Sequence, residues 1–144
     1  MRFVVVLLTI SPAIFSCDKT ETIDLDSILK CHQSQHLDSA SISTKLAGIW
    51  SLSSRFCIKT RPTNLTPIDV KVNFTADGSF SVSEYSGILT QGQWKLKNIG
   101  TNMWRVDLTA QSEYLNGRIL FCKEEVVFDS TYVNGEGCYN IFYK

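Results

Sequence analysis

Cys31-His32-Gln-Ser-Gln-His36 is the densest run of ligating side chains in the sequence. Two histidines four residues apart share one face of a helix, and a neighbouring thiolate would supply a third donor of the kind zinc sites use. Against that reading, no acidic residue stands at ligand spacing, and an exported chain needs Cys31 for a disulfide. The expectation is therefore no metal and no other cofactor. Both histidines of the chain lie in this run, outside every predicted strand, and no Gly-x-Ser-x-Gly turn is present. With no nucleophile–base pairing, the chain reads as non-enzymatic. Glu84 is the carboxylate of most interest. It falls on the same strand face as Phe80 and Val82, which would turn it inward near a barrel mouth; a rim carboxylate in water is the favoured reading, because buried Glu is rare.

Charge narrows the partners. Fourteen basic residues balance fourteen acidic ones. No Lys/Arg cluster interleaves with aromatics, so a nucleic-acid partner, which requires phosphate neutralisation, is not expected.

The N-terminus predicts export. Met1-Arg2 is a short positive start, Phe3 to Ile10 is an apolar run, and Ser11-Pro12 breaks it. The run is far short of the roughly 20 residues that span a bilayer. Ile14-Phe15-Ser16-Cys17 then resembles the lipobox of bacterial lipoproteins. Ile14, Ser16 and Cys17 match it; Phe15 stands where a small residue is usual. The resemblance implies a signal over residues 1–16, a lipid on Cys17, and a domain held outside the cytoplasm at the cell membrane or the outer membrane. An ordinary signal peptide cut near Ser16, leaving Cys17 as a thiol, is the alternative.

Cysteine arithmetic favours the lipid. The five cysteines are Cys17, Cys31, Cys57, Cys122 and Cys138. If Cys17 is lipidated, four remain for two disulfides in an oxidising compartment. Three pairings are open. A closed barrel would bring its first and last strands together, which favours Cys57–Cys138 with Cys31–Cys122.

The elements that must position these residues follow from periodicity. Residues 17–45 are polar and read as a tether with a small helix around Ile23, Leu25, Ile28 and Leu29, and another helical turn before Gly48. From Ile49 apolar residues recur at every second position, the period of a half-buried strand. Trp50, Leu52, Phe56 and Ile58 form the first such row, with a break at Ser54. Further rows are Val70/Val72/Phe74, Phe80/Val82, Trp94/Leu96, Trp104/Val106/Leu108, Ile119/Phe121, Val126/Phe128 and Tyr139/Ile141/Tyr143. Asp77-Gly78, Asn116-Gly117 and Asn134-Gly135 are turn signals between them. Seven or eight short strands at hairpin spacing predict an all-β antiparallel barrel or sandwich over residues 46–144.

Leu46-Ala-Gly48-Ile-Trp50-Ser-Leu52, Phe74-Thr-Ala-Asp77-Gly78-Ser-Phe80, Gly92-Gln-Trp94-Lys-Leu96 and the closing Tyr139-Asn-Ile141-Phe-Tyr143 together resemble the bacterial lipocalin-like lipoproteins. The resemblance spans roughly residues 45 to 144. It implies an up-and-down barrel of about eight strands, wide enough to be filled by side chains or to hold one small ligand. Larger lipocalins stack an arginine near the last strand on the first-strand tryptophan; only Lys123 and Lys144 are available here. The residues expected to line the interior are Trp50, Phe56, Phe74, Phe80, Glu84, Trp94 and Trp104. The expected partners are a membrane through the lipid, and either a small apolar ligand or a protein met by a filled barrel that acts as an interaction or inhibitor module.

Overall fold

The computed structural model describes residues 24–58, 69–85 and 87–144, without the side chains of Val133 and Asn134. The expected signal, Cys17 and residues 59–68, whose Arg61-Pro62 and Thr66-Pro67 are expected to bracket a loop, lie outside the described residues. The chain forms helices α1 (Leu25–Ser34) and α2 (Ser39–Leu46), then strands β1 (Gly48–Cys57), β2 (Val70–Phe74), β3 (Ser79–Glu84), β4 (Gly87–Gly100), β5 (Met103–Leu108), β6 (Arg118–Cys122) and β7 (Glu125–Asp129). A short helix α3 (Thr131–Asn134) precedes the last strand, β8 (Cys138–Tyr143). The eight strands close in sequence order into an antiparallel barrel, β8 pairing with β1. Of the barrel and the sandwich that the alternating apolar rows allow, the chain forms the all-β up-and-down barrel.

The interior is one continuous apolar cluster. Trp50, Leu52, Val70, Val72, Phe74, Phe80, Val82, Trp94, Val106, Ile119, Phe121, Val126, Phe128 and Phe142 all point inward and are buried. Phe74 sits at the centre of the ring contacts: its centroid is 5.6 Å from Trp94, edge-on, and 6.2 Å from Phe128, stacked.

Residues 24–46 differ from the expected tether. Asp24 caps α1 by accepting the Asp26 N–H at 3.1 Å, and Asp38 caps α2 by accepting the Ser41 N–H at 2.8 Å. Ile28 of α1 packs with Leu120, Val127 and Ile141 on the outer face of β6–β8, with Leu25 and Leu29 beside it. Ile42 and Leu46 of α2, fully buried, enter the interior cluster at one barrel end. The apolar spacing of both helices is thus a packing face against the barrel, not a lone helical turn in a linker.

Phe56 also departs from expectation. The β1–β8 register shifts between Leu52 and Ser54, so Leu52 pairs with inward Phe142 but Ser54 with outward Ile141. The extra residue inverts the alternation beyond it. Phe56 therefore leaves the interior and stacks on Tyr139 outside, centroids 5.1 Å apart. Arg55 takes the inward parity in its place, opposite buried Asn140.

Candidate functional site

Three kinds of place among the described residues carry polar or concave features that could act on another molecule: the barrel mouth, the seam between β5 and β6, and clefts at the α2 end and along β5.

At the mouth, the β5–β6 loop turns inward and buries Tyr114 and Leu115 in the interior cluster. Arg55 holds the loop there. Its Nη2 donates to Glu113 Oε2 at 2.8 Å, and its guanidinium lies 5.0 Å from the Tyr114 ring centroid. Asn140 Nδ2 donates to the Tyr114 carbonyl at 3.0 Å. Burial, followed by the negative charges of Glu113 and Glu84, pushes the Tyr114 hydroxyl above its ordinary pKa. Glu84 pairs with inward Val70 and is half-buried at this end. The opposite end is closed by α2, where Trp50 Nε1 donates to the Leu46 carbonyl at 2.7 Å. Lys144 Nζ lies 4.8 Å from the Trp50 ring centroid and donates to the Lys45 and Ala47 carbonyls at 2.8 Å each. The lysine thus sits over the first-strand tryptophan and satisfies carbonyls at the C-terminal end of α2.

Of the residues expected to line the interior, Trp50, Phe74, Phe80 and Trp94 are buried together there, and Trp104 packs partly buried against them. Phe56 does not join them. Arg55, Tyr114 and Leu115 were not foreseen. The Ser53-Ser54 doublet was the available signal for Arg55, and the adjacent apolar pair Tyr114-Leu115 between polar neighbours was the signal for the inward loop.

The seam gives the Cys-His run its role. β5 and β6 pair only at Trp104↔Ile119 and Arg105↔Arg118. In that register the next rung would join Phe121 to Asn102. The imidazole of His32 occupies it: Phe121 N–H donates to Nδ1 at 3.0 Å, and Nε2 meets the Asn102 carbonyl at 3.2 Å as donor. Gln35 Nε2 donates to the Phe121 carbonyl at 3.0 Å. Burial lowers the His32 pKa, and Arg118 adds to the effect, against the Asn102 contact, which raises it. Cys31 is bonded to Cys122, and Cys57 to its cross-strand partner Cys138. Both His32 nitrogens are thereby committed to backbone, and no group of three or more His, Cys, Asp or Glu among the described residues could hold a metal.

At the α2 end of the barrel, a half-open cleft of about 570 Å³ lies between α2, the β2–β3 turn and β4. Ala47, Ala76, Trp94 and Leu96 give it apolar walls; Asp77 and Lys95 stand on its rim. The Asp77 carboxyl is pulled down to about 2 by the Thr75 hydroxyl and by the Ser79 N–H and hydroxyl. A second cleft of about 400 Å³ lies along β5, between Arg105–Leu108 and a bank of Gln111, Asn116 and Gly117.

No family model matches the chain, and no curated protein does. Among solved structures the chain is similar to a DUF4847 family protein from Bacteroides vulgatus, at 15% identity over 68% of this chain and 92% of that one, with a TM-score of 0.45. A likeness of that size assigns neither family nor activity.

Proposed function

We propose that this protein is an exported, lipid-anchored, non-enzymatic component of the cell envelope, a lipocalin-like barrel with a filled interior that works as an interaction module through its outer surface. The observation that carries the reading is the continuous packing of the barrel from end to end. Ile42 and Leu46 stand at one end, Tyr114 and Leu115 at the other, and Trp50, Phe74, Phe80, Phe121, Phe128 and Phe142 lie between them in one cluster. Packing of this kind favours a filled barrel over an open calyx. Two disulfides suit an oxidising compartment outside the cytoplasm.

Titration with N-phenyl-1-naphthylamine, a dye that brightens in apolar sites, tests the filled core. The expected result is no saturable signal from the interior. The cleft of about 570 Å³ beside Trp94 favours a second, smaller role in holding a small apolar ligand at the α2 end of the barrel. Ala47→Trp separates the two, since Ala47 lines that cleft. A signal abolished by this substitution belongs to the cleft; one that survives it overturns the filled-core reading. For the anchor, mass spectrometry of protein extracted from membranes should show a diacylglyceryl mass on Cys17; an unmodified Cys17 would sink that part.

A further inference from the structure

The break in the β5–β6 ladder is treated differently at its two ends. At the Phe121 end, His32 of α1 and the C-cap residue Gln35 take up the backbone groups that β5 leaves. At the other end no group among the described residues does. Thr109 N–H donates to the Gln93 carbonyl at 3.0 Å, and Lys95↔Asp107 and Lys97↔Arg105 continue that register. Antiparallel alternation then turns the backbone groups of 105, 107 and 109 toward β4, and those of Trp104, Val106 and Leu108 toward β6. Trp104 meets Ile119. Val106 and Leu108 meet the 400 Å³ cleft. Among the described residues no strand pairs with them on that side, and no loop backbone bonds to them.

The gap is built into the fold. Gly117 has φ +92°, and a Cβ there would collide with the Asp129 carbonyl, so the chain is pressed against β7 and turned away from the line of β5 just before Arg118. Upstream, Tyr114 and Leu115 are locked in the interior. The far bank therefore cannot slide across to complete the ladder.

From this we infer that the open edge of β5 is a docking site for an extended peptide segment of a partner protein, taken up as an added strand along Val106–Leu108. The inference rests on the interaction-module reading and specifies its partner. Two N–H and two C=O groups, about 7 Å apart along the strand, line one wall of a concave site. Only a backbone in extended conformation repeats donor and acceptor at that spacing. The side chains around it are polar and balanced: Arg105 is paired with Asp107 at 2.7 Å, and Gln111 and Asn116 are uncharged. That lining fits a neutral polar peptide and offers little to a lipid tail.

Amide-resolved NMR tests the site with acetyl-Thr-Val-Thr-Val-Thr-amide as the probe, beside the same peptide N-methylated at the amides that would face β5. In the free protein the Val106 and Leu108 amides should exchange with deuterium faster than those of Arg105 and Asp107. The probe should shift and protect them saturably; the N-methylated peptide should not. Leu108→Pro removes a cleft-facing N–H and no bond to β4, and should weaken binding roughly three- to tenfold, one hydrogen bond's worth. If that variant does not fold, the N-methylated peptide decides. Slow exchange of Val106 and Leu108 in the free monomer, no response to the probe, or equal binding of the N-methylated peptide overturns the proposal. Protection that grows with protein concentration alone also overturns it, naming a second copy as the occupant. None of these failures bears on the filled core, which the dye titration tests separately.

Discussion

His32 is a single side chain standing in for a rung of β-sheet. Its removal in His32→Ala leaves the Phe121 N–H and the Asn102 carbonyl without their partner, and should cost about 1–3 kcal/mol in urea denaturation. The same contact sets a pH dependence. Burial holds the folded-state pKa below the 6.5 of the unfolded chain, so the unfolded chain binds the proton first. The stability carried by neutral His32 is complete above pH 6.5 and is lost as pH falls from there toward the lowered folded value. Urea midpoints of the wild type should therefore decline below pH 6.5, and the decline should be shallower in His32→Gln; equal slopes would show that another group is responsible. The sequence exposed the Cys31-His32 pair as chemically unusual. It did not expose its use, because the partners are backbone atoms brought together by strand register some 70 and 89 residues away. Phe56 was misread for a related reason: a bulge changes which face a side chain takes without changing the residues that carry the pattern.

The strands were legible as elements because each buries one face and leaves the other in water, giving a period of two. The helices were less so. α1 shows only one apolar stripe in a polar segment, and a stripe does not say what it packs on. The Cys31–Cys122 bond, across 91 residues, fixes α1 to β6 where His32 and Gln35 repair the seam. Replacing both cysteines, Cys31→Ser with Cys122→Ser, should cost about 2–4 kcal/mol. Beyond that loss, the Phe121 amide should become quicker to exchange with deuterium, because the helix that carries its acceptor is no longer tied. An unchanged Phe121 amide would mean that α1 packing through Ile28, Leu25 and Leu29 holds the rung unaided.

At the scale of the whole molecule, closure was legible and occupancy was not. Counting strands predicts a barrel or a sandwich, the lipocalin resemblance implies the barrel, and a closed barrel in turn favours the Cys57–Cys138 bond between its first and last strands. Whether the interior holds a guest depends on how far neighbouring loops and helices reach in, and Leu46, Tyr114 and Leu115 reach in from outside the strands. The two bonds, Cys31–Cys122 and Cys57–Cys138, are also interleaved along the chain. A protease that cuts once at any point between Cys31 and Cys138 severs the backbone but parts nothing: at least one sulfur bridge still spans the wound. Limited digestion should thus yield a species that migrates as one piece without reductant and falls into two with it. For a protein proposed to live among envelope proteases, such a nick is survivable damage, and both halves stay with whatever holds the N-terminus.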